Sequence, residues 1–377
     1  MRNLATAFGA ALAAITVPAA VVEEDGKNIY DVWWGEVPAS AETLLADRPE
    51  VWNFGFRPYG SASASWLWSD PIMARSTLSG EVPEGKCPTA MAVGCNADGF
   101  SVLVYTVEAS LPSALAKGAK APDGRFELYV MPGDTDSRAM TFYYQFGAGA
   151  DNEGAIEAYV WSVEDRRERH PKRWTDYRVR RLANGYVHVI TFSWEAFWDK
   201  LPFVRGADNF WRLGIVRFAA DGGVTWGGTV HEASCFGYLR FPNFTEEQRT
   251  EIRGRLLMKG WARFQAVKSK PMYNTPRGWD VPWPLDAAFL REERAKYPET
   301  YVLYTQDPEF HDILERHNEK VQALGADVVG FAALPPERRE AFYRRASDML
   351  FNYRYDVERL YAAYIDGKFF PEEEVVK

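Results

Sequence analysis

The sequence predicts a mainly β chain: an antiparallel β-sandwich followed by an α-helical C-terminal region. Three observations lead to that class. From Ala92 to Phe241, short β-rich runs recur between turn signals with no helical pattern among them, as in a sandwich and unlike an α/β sheet. Phe126, Leu128 and Val130 alternate with Arg125, Glu127 and Tyr129, the two-residue period of a sheet with one buried face. At Phe241-Pro242 the composition changes, and Thr245-Glu246-Glu247-Gln248 supplies a capping box ahead of apolar residues at helical spacing.

In chain order, residues 1–20 read as an export signal: Arg2, then the uncharged Leu4–Val17 stretch, then the small residues Val17-Pro18-Ala19 at a cleavage point. The stretch is too short to span a bilayer. Export makes the protein secreted or periplasmic; the competing reading, a buried first strand, leaves it cytoplasmic. Residues 21–242 form the β-sandwich region. Within it Asp25-Gly26-Lys27 reads as a turn, IYDVWW as an edge strand, and the Trp- and Ser-rich passage to Lys86 as an insertion of unassigned path.

Turn chemistry then marks successive hairpins. Asp98-Gly99 separates MAVGC from FSVLVYTVE, and Asn184-Gly185 separates TDYRVRRL from YVHVITFSW; both dipeptides favour the positive φ of tight hairpin turns. Asp151-Asn152-Glu153-Gly154 divides TFYYQFG from AIEAYVWSV, and Asp221-Gly222-Gly223 divides WRLGIVRF from VTWGG. FSVLVYTV is apolar on both faces and reads as a central strand.

Residues 243–377 form the helical extension. The capping box starts a helix near Glu246, with Ile252, Leu256, Phe264 and Val267 on its apolar side. The linker KPMYNTPRGWDVPWP leads to helices near Leu285–Tyr297, Pro308–Leu324 and Pro335–Ile365. In the last, Phe342, Ala346, Met349, Tyr353, Val357, Leu360 and Tyr364 line one face, a stripe that packs within the chain or against a partner.

Net charge of −8 and a pI near 5.4 argue against a nucleic-acid footprint. Aromatic residues make up 15 % of the chain, including 14 Trp, which suits either a core or flat surfaces for sugar rings. Cys87, Cys95 and Cys235 lack metal-site spacing. Cys87 and Cys95 either close one small loop or remain separate thiols.

Taken in order, DGRFELYVMPG, FYYQFGAG, NGYVHVITFSWEAF, NFWRLGIVRF, TWGG and FGYLRF resemble the carbohydrate-binding family 9-like modules, jelly-roll sandwiches of the DOMON-like group. The resemblance implies a non-catalytic module that holds a glycan or polysaccharide by aromatic stacking. It places the stacking indole at Trp226 and a ligand-binding acid at Glu127. Arg217, on the strand before Trp226, is a ligand candidate whose competing role is a structural ion pair. A second stacking Trp of the family is Ala121 here, so Trp161 and Trp174, or Trp66 and Trp68, stand as candidates for another wall, each against a core role. No cofactor is required by this reading. Structural calcium is the one metal considered, at the oxygen-rich loop of Asp134 and Asp136 or at Asp151-Asn152-Glu153, against plain solvated turns.

No nucleophile elbow, P-loop or H-E-x-x-H motif is present, and His311 and His317 lie six residues apart on a predicted helix, facing different directions. Two alternatives to glycan binding remain open at the level of sequence. One is a haem-binding electron carrier of the DOMON-like group, with His188 and Met131 or Met140 as ligands. The other is an assembly protein acting through self-association or a protein partner of residues 243–377.

Overall fold

The computed structural model describes residues 21–24, 27–35, 56–58, 89–122, 124–132, 143–149, 157–161, 168–169, 175–203, 209–219, 222–227, 236–268, 273–274, 291, 295, 301–302 and 308–369. Residues 1–20, Trp66, Trp68, Cys87, Asp134, Asp136, Met140, Trp174, Cys235 and most of Leu285–Tyr297 lie outside them, as does the side chain of Trp161. The chain divides into two units: one takes residues up to Ala196 and from Lys200 to Asn243, the other Phe197–Asp199 and Phe244 onward.

The strands are β1 (Val21–Glu24), β2 (Lys27–Asp31), β3 (Trp33–Trp34), β4 (Arg57–Pro58), β5 (Thr89–Cys95), β6 (Gly99–Val107), β7 (Phe126–Met131), β8 (Tyr143–Ala148) and β9 (Glu157–Trp161). They continue as β10 (Glu168–Arg169), β11 (Thr175–Arg181), β12 (Gly185–Ser193), β13 (Phe210–Ala219), β14 (Gly222–Trp226) and β15 (Gly237–Arg240). One sheet runs β1-β2-β15-β13-β7-β8-β9-β10, with β14 continuing the row of β15 beside β13 and pairing β4. The second runs β11-β12-β6-β5-β3.

The four expected hairpins form, but Gly99 and Gly185 do not take the positive φ expected of them; each instead lies against a neighbouring strand, where a Cβ would sit 1.9 Å from the Phe192 carbonyl oxygen and 2.1 Å from that of Thr106. Asn96 fixes the β5–β6 turn by accepting from the amides of Asp98 (2.9 Å) and Gly99 (3.2 Å), and the chain reverses into the Cys95–Phe100 pair. The β11–β12, β8–β9 and β13–β14 hairpins are antiparallel as well. FSVLVYTV is central as read: β6 lies between β12 and β5.

Two sequence expectations are corrected. The sheets are mixed rather than purely antiparallel, because β2 pairs β15 and β3 pairs β5 in parallel. IYDVWW is also not one edge strand. Its first part is β2, between β1 and β15, and after Val32 the chain crosses to the other sheet as edge strand β3. Val32 marks the crossover by donating to the Arg240 carbonyl at 2.9 Å.

The inner faces of the sheets meet in an aromatic core. Phe100 on β6 reaches Trp211 on β13 edge-on at 5.5 Å, and Phe146 on β8 meets Phe192 on β12 at 4.6 Å. The second sheet is buried on its other face too, where Trp33, Ala90, Ala92, Leu103, Tyr105, Val107 and Val187 cluster. The long sheet likewise buries Tyr129, Met131 and Val216 on the face away from the second sheet, so the single buried face expected from the Phe126, Leu128 and Val130 alternation is not what forms. Between β6 and β7 runs a short helix, α1 (Leu111–Ala116).

The second unit contains α2 (Glu246–Val267), α3 (Pro308–Gln322), α4 (Gly325–Val329), α5 (Pro336–Phe351) and α6 (Tyr353–Phe369), with a two-stranded ribbon of β16 (Tyr273–Asn274) and β17 (Tyr301–Val302). The capping box at Thr245 and Gln248 is complete, with both reciprocal bonds made. The predicted continuous helix over Pro335–Ile365 is two helices: Asn352 ends α5 with φ −90° and ψ 1°, where its amide still bonds Asp348. The apolar stripe nonetheless packs inside this unit. Phe342, Ala346, Tyr353 and Val357 are buried, and the Tyr353 ring meets Phe264 of α2 at 5.1 Å. Phe197–Asp199 belong here through Trp198, whose ring stacks on Phe351 at 5.4 Å and whose carbonyl accepts from the Tyr343 hydroxyl. No described helix is long and apolar enough to cross a membrane.

Candidate functional site

Pairing register fixes which face of the long sheet each side chain takes, because directly opposed residues share a face and neighbours along a strand alternate. Trp226 opposes Ile215, which opposes Leu128, which opposes Phe146. That row faces the second sheet. Trp226 is accordingly only 1 % exposed, and its ring lies so close over Gly237 that a Cβ there would sit 2.5 Å from it. The expected indole at the sandwich rim is thus a core side chain resting on a glycine of β15.

Arg217 shares the inner face, opposing Phe126, and is fully buried. Its guanidinium bonds Glu108 at 2.5 Å, the Val107 carbonyl and the Thr89 hydroxyl at 3.0 Å. Glu108 is itself buried. This is the structural ion pair weighed against a ligand role: desolvation of both charges is offset by their attraction and by further hydrogen bonds. The arginine ties β13 to both β5 and β6.

His188 on β12 sits in the same interior. The Tyr177 hydroxyl donates to the Gly149 carbonyl at 3.1 Å, so at 2.9 Å it accepts from His188 Nδ1, and Nε2 in turn accepts from the Thr106 hydroxyl at 3.3 Å. Both ring nitrogens are therefore engaged. Burial, reinforced by the Arg217 charge, lowers the His188 pKa to about 3 and keeps the imidazole neutral. Met131, one of its suggested partners in a haem site, lies on the opposite face of the long sheet, in the alternation of Glu127 and Tyr129. His188 and Met131 do not form an axial pair.

Glu127 is placed differently. It opposes Val216 on one side and Gly147 on the other, on the outer face of the long sheet, and is half-buried. The hydroxyl of fully buried Tyr129, two residues along β7, donates to Glu127 Oε2 at 2.5 Å. Tyr129 is fixed in turn by Phe236, whose ring packs against it at 5.4 Å and lies over Gly214. The carboxylate is thus aimed by one bond from a rigid neighbour, and Tyr129 is its single hydrogen-bonding partner among the described residues.

Two further residues on that face escaped the sequence reading. Gly147 stands mid-strand beside Glu127, and a Cβ built on it would meet nothing within 4 Å. Phe218, 47 % exposed, lies two residues beyond Val216 on β13, opposite Gly223, and its amide reaches the Arg125 carbonyl at 3.4 Å. The signals for both were present. A glycine inside a strand often marks close approach by a ligand, and the alternation that sends Arg217 inward sends Phe218 outward beside Glu127.

Cys95 is a buried free thiol whose pKa burial raises, so it does not close a loop with Cys87. Among the described residues no group of three or more His, Cys, Asp or Glu is placed to hold a metal ion.

No family model and no curated protein matches this chain. Solved structures similar to it include the following three. One is a Bacteroides uniformis protein provisionally described as carbohydrate-binding, at 15 % identity and TM-score 0.35, over 57 % of this chain and 99 % of that one. The others are a family 9 carbohydrate-binding module from Caldicellulosiruptor kristjanssonii with glucose, at 10 % identity and TM-score 0.32, and the same kind of module with cellotriose, at 10 % and 0.34. Each spans 58 % of this chain, and 97 % and 95 % of its own. Similarity this low establishes neither a shared fold nor a shared ligand.

Proposed function

We propose that the protein binds a glycan, without catalysing a reaction on it, at the outer face of the long sheet around Glu127. The observation that carries this reading is the Tyr129–Glu127 pair. A carboxylate held by one hydroxyl bond and half-open to solvent accepts from neighbouring sugar hydroxyls, and its aim is set before the ligand arrives, which lowers the cost of ordering. The jelly-roll resemblance of the strand phrases independently implies a sugar ligand and points to the same acid. An export signal at residues 1–20, as the sequence leads one to expect, would suit a protein that meets polysaccharide outside the cytoplasm.

The test is a glycan array probed with the wild-type protein and Glu127→Gln, glucose and cellotriose included. Gln at this position keeps the bond from Tyr129 but loses the charge. The reading expects saturable binding by wild type and a loss of about tenfold or more in the variant, the size of one charge-assisted hydrogen bond. Equal binding by both proteins, or none by wild type, contradicts it. Calcium is kept as a separate arm at the Asp134 and Asp136 loop: binding that survives chelation removes it from the site.

A further inference from the structure

We infer that Phe218 is the stacking wall and Gly147 the floor of the site at Glu127; the inference rests on the glycan reading and assigns that site's apolar half. Sugar rings need a flat apolar surface for their C–H faces beside polar groups for their hydroxyls, and an aromatic ring supplies the first. With Trp226 only 1 % exposed in the core, that surface must come from elsewhere. Among the described side chains, Phe218 is the large apolar one of the long sheet left exposed on the same face as Glu127, at 47 %.

Its position suits the task. Val216 opposes Glu127 and Phe218 follows two residues on, so ring and carboxylate belong to a diagonal cross-strand pair of residues about 7–8 Å apart. One sugar ring bridges that separation. The residue opposite Phe218 on β14 is Gly223, so no β14 side chain rises beside the phenyl group at that register. On the far side of Glu127 the next strand offers Gly147, with open space where a side chain would stand. A glycine in mid-strand weakens a sheet by entropy and lost packing, a cost with no packing reason here because its Cβ would touch nothing. Close approach of a ligand supplies the missing reason. The ring, the carboxylate and the bare backbone thus form a step across β13, β7 and β8.

Four proteins decide it: wild type, Phe218→Ala, Phe218→Tyr and Gly147→Val, each titrated calorimetrically with cellotriose or, should cellotriose not bind, with the strongest neutral oligosaccharide on the array, alongside thermal unfolding. Phe218→Ala should bind roughly tenfold more weakly, the effect of one lost stacking surface, while Phe218→Tyr retains affinity. Gly147→Val should unfold no earlier than wild type, since valine suits a strand and has room, yet lose at least tenfold in affinity because its methyl groups occupy the floor. Unchanged affinity in Phe218→Ala and Gly147→Val, with wild type binding, overturns the inference and leaves the glycan reading standing. Failure of wild type to bind any glycan overturns both.

Discussion

The two faces of the long sheet use the same kinds of residue to opposite ends. Inside the sandwich, Arg217 and Trp226 of this sheet are buried together with Glu108 and His188 of the second, and Arg217, Glu108 and His188 bond one another or nearby hydroxyls and carbonyls. On the outer face Glu127 is half-buried with one hydrogen bond, Gly147 has empty space above it, and Phe218 stands half in solvent. Residue type does not separate architecture from binding; exposure does. A charged or aromatic group closed inside the sandwich cannot be reached by a ligand.

The comparison breaks most visibly at Arg217. Replacing it with Ala leaves Glu108 as an uncompensated buried carboxylate, and unfolding in denaturant should register a loss of about 3–5 kcal/mol. A loss under about 1 kcal/mol would mean that the ion pair does not bind the sheets together. Trp226→Ala comes next: a core cavity under β15 costs about 3–5 kcal/mol, and sugar affinity of the folded fraction stays unchanged. Selective loss of sugar binding at full stability would instead return the indole to the site.

His188 gives a smaller, pH-dependent effect. The imidazole is neutral in the fold down to about pH 3 but takes a proton once the chain unfolds below about pH 6.5, so acid favours the unfolded state. Stability should fall by up to about 1.4 kcal/mol per pH unit across that window on account of this group, and not at all above it. His188→Gln should flatten that part of the profile. An unaltered acid slope in the variant would show that the imidazole titrates normally in the folded protein. The smallest expected change belongs to the outer face: Glu127→Gln should shift stability by no more than about 0.5 kcal/mol while weakening sugar binding.

How much of this the sequence disclosed depends on the range of the cause. The places of the hairpins at Asp98-Gly99 and Asn184-Gly185 were legible from local turn residues, though not the role of their glycines, which is close approach to a neighbouring strand; the helix start at Thr245 was legible because its capping box is local. The break at Asn352 was not, since the apolar stripe runs through it unbroken. Trp226 was misplaced because its burial depends on Gly237, brought beneath the ring by the separate strand β15. The Arg217 ion pair was legible as a possibility, since a strand arginine between Val216 and Phe218 needs a partner, but Glu108 is distant in sequence. Glu127 was singled out by family resemblance, and register now sets it on the outer face of the long sheet. Gly147 and Phe218 gain meaning only once register sets them on one face with it.

The most direct measurement is a crystal structure of the protein soaked with the oligosaccharide that binds best on the array. The account predicts a sugar ring on the outer face of the long sheet, with a hydroxyl donating to Glu127 and a C–H face against Phe218. Density for the sugar at any other surface, or beside a Trp226 swung out of the core, would contradict it.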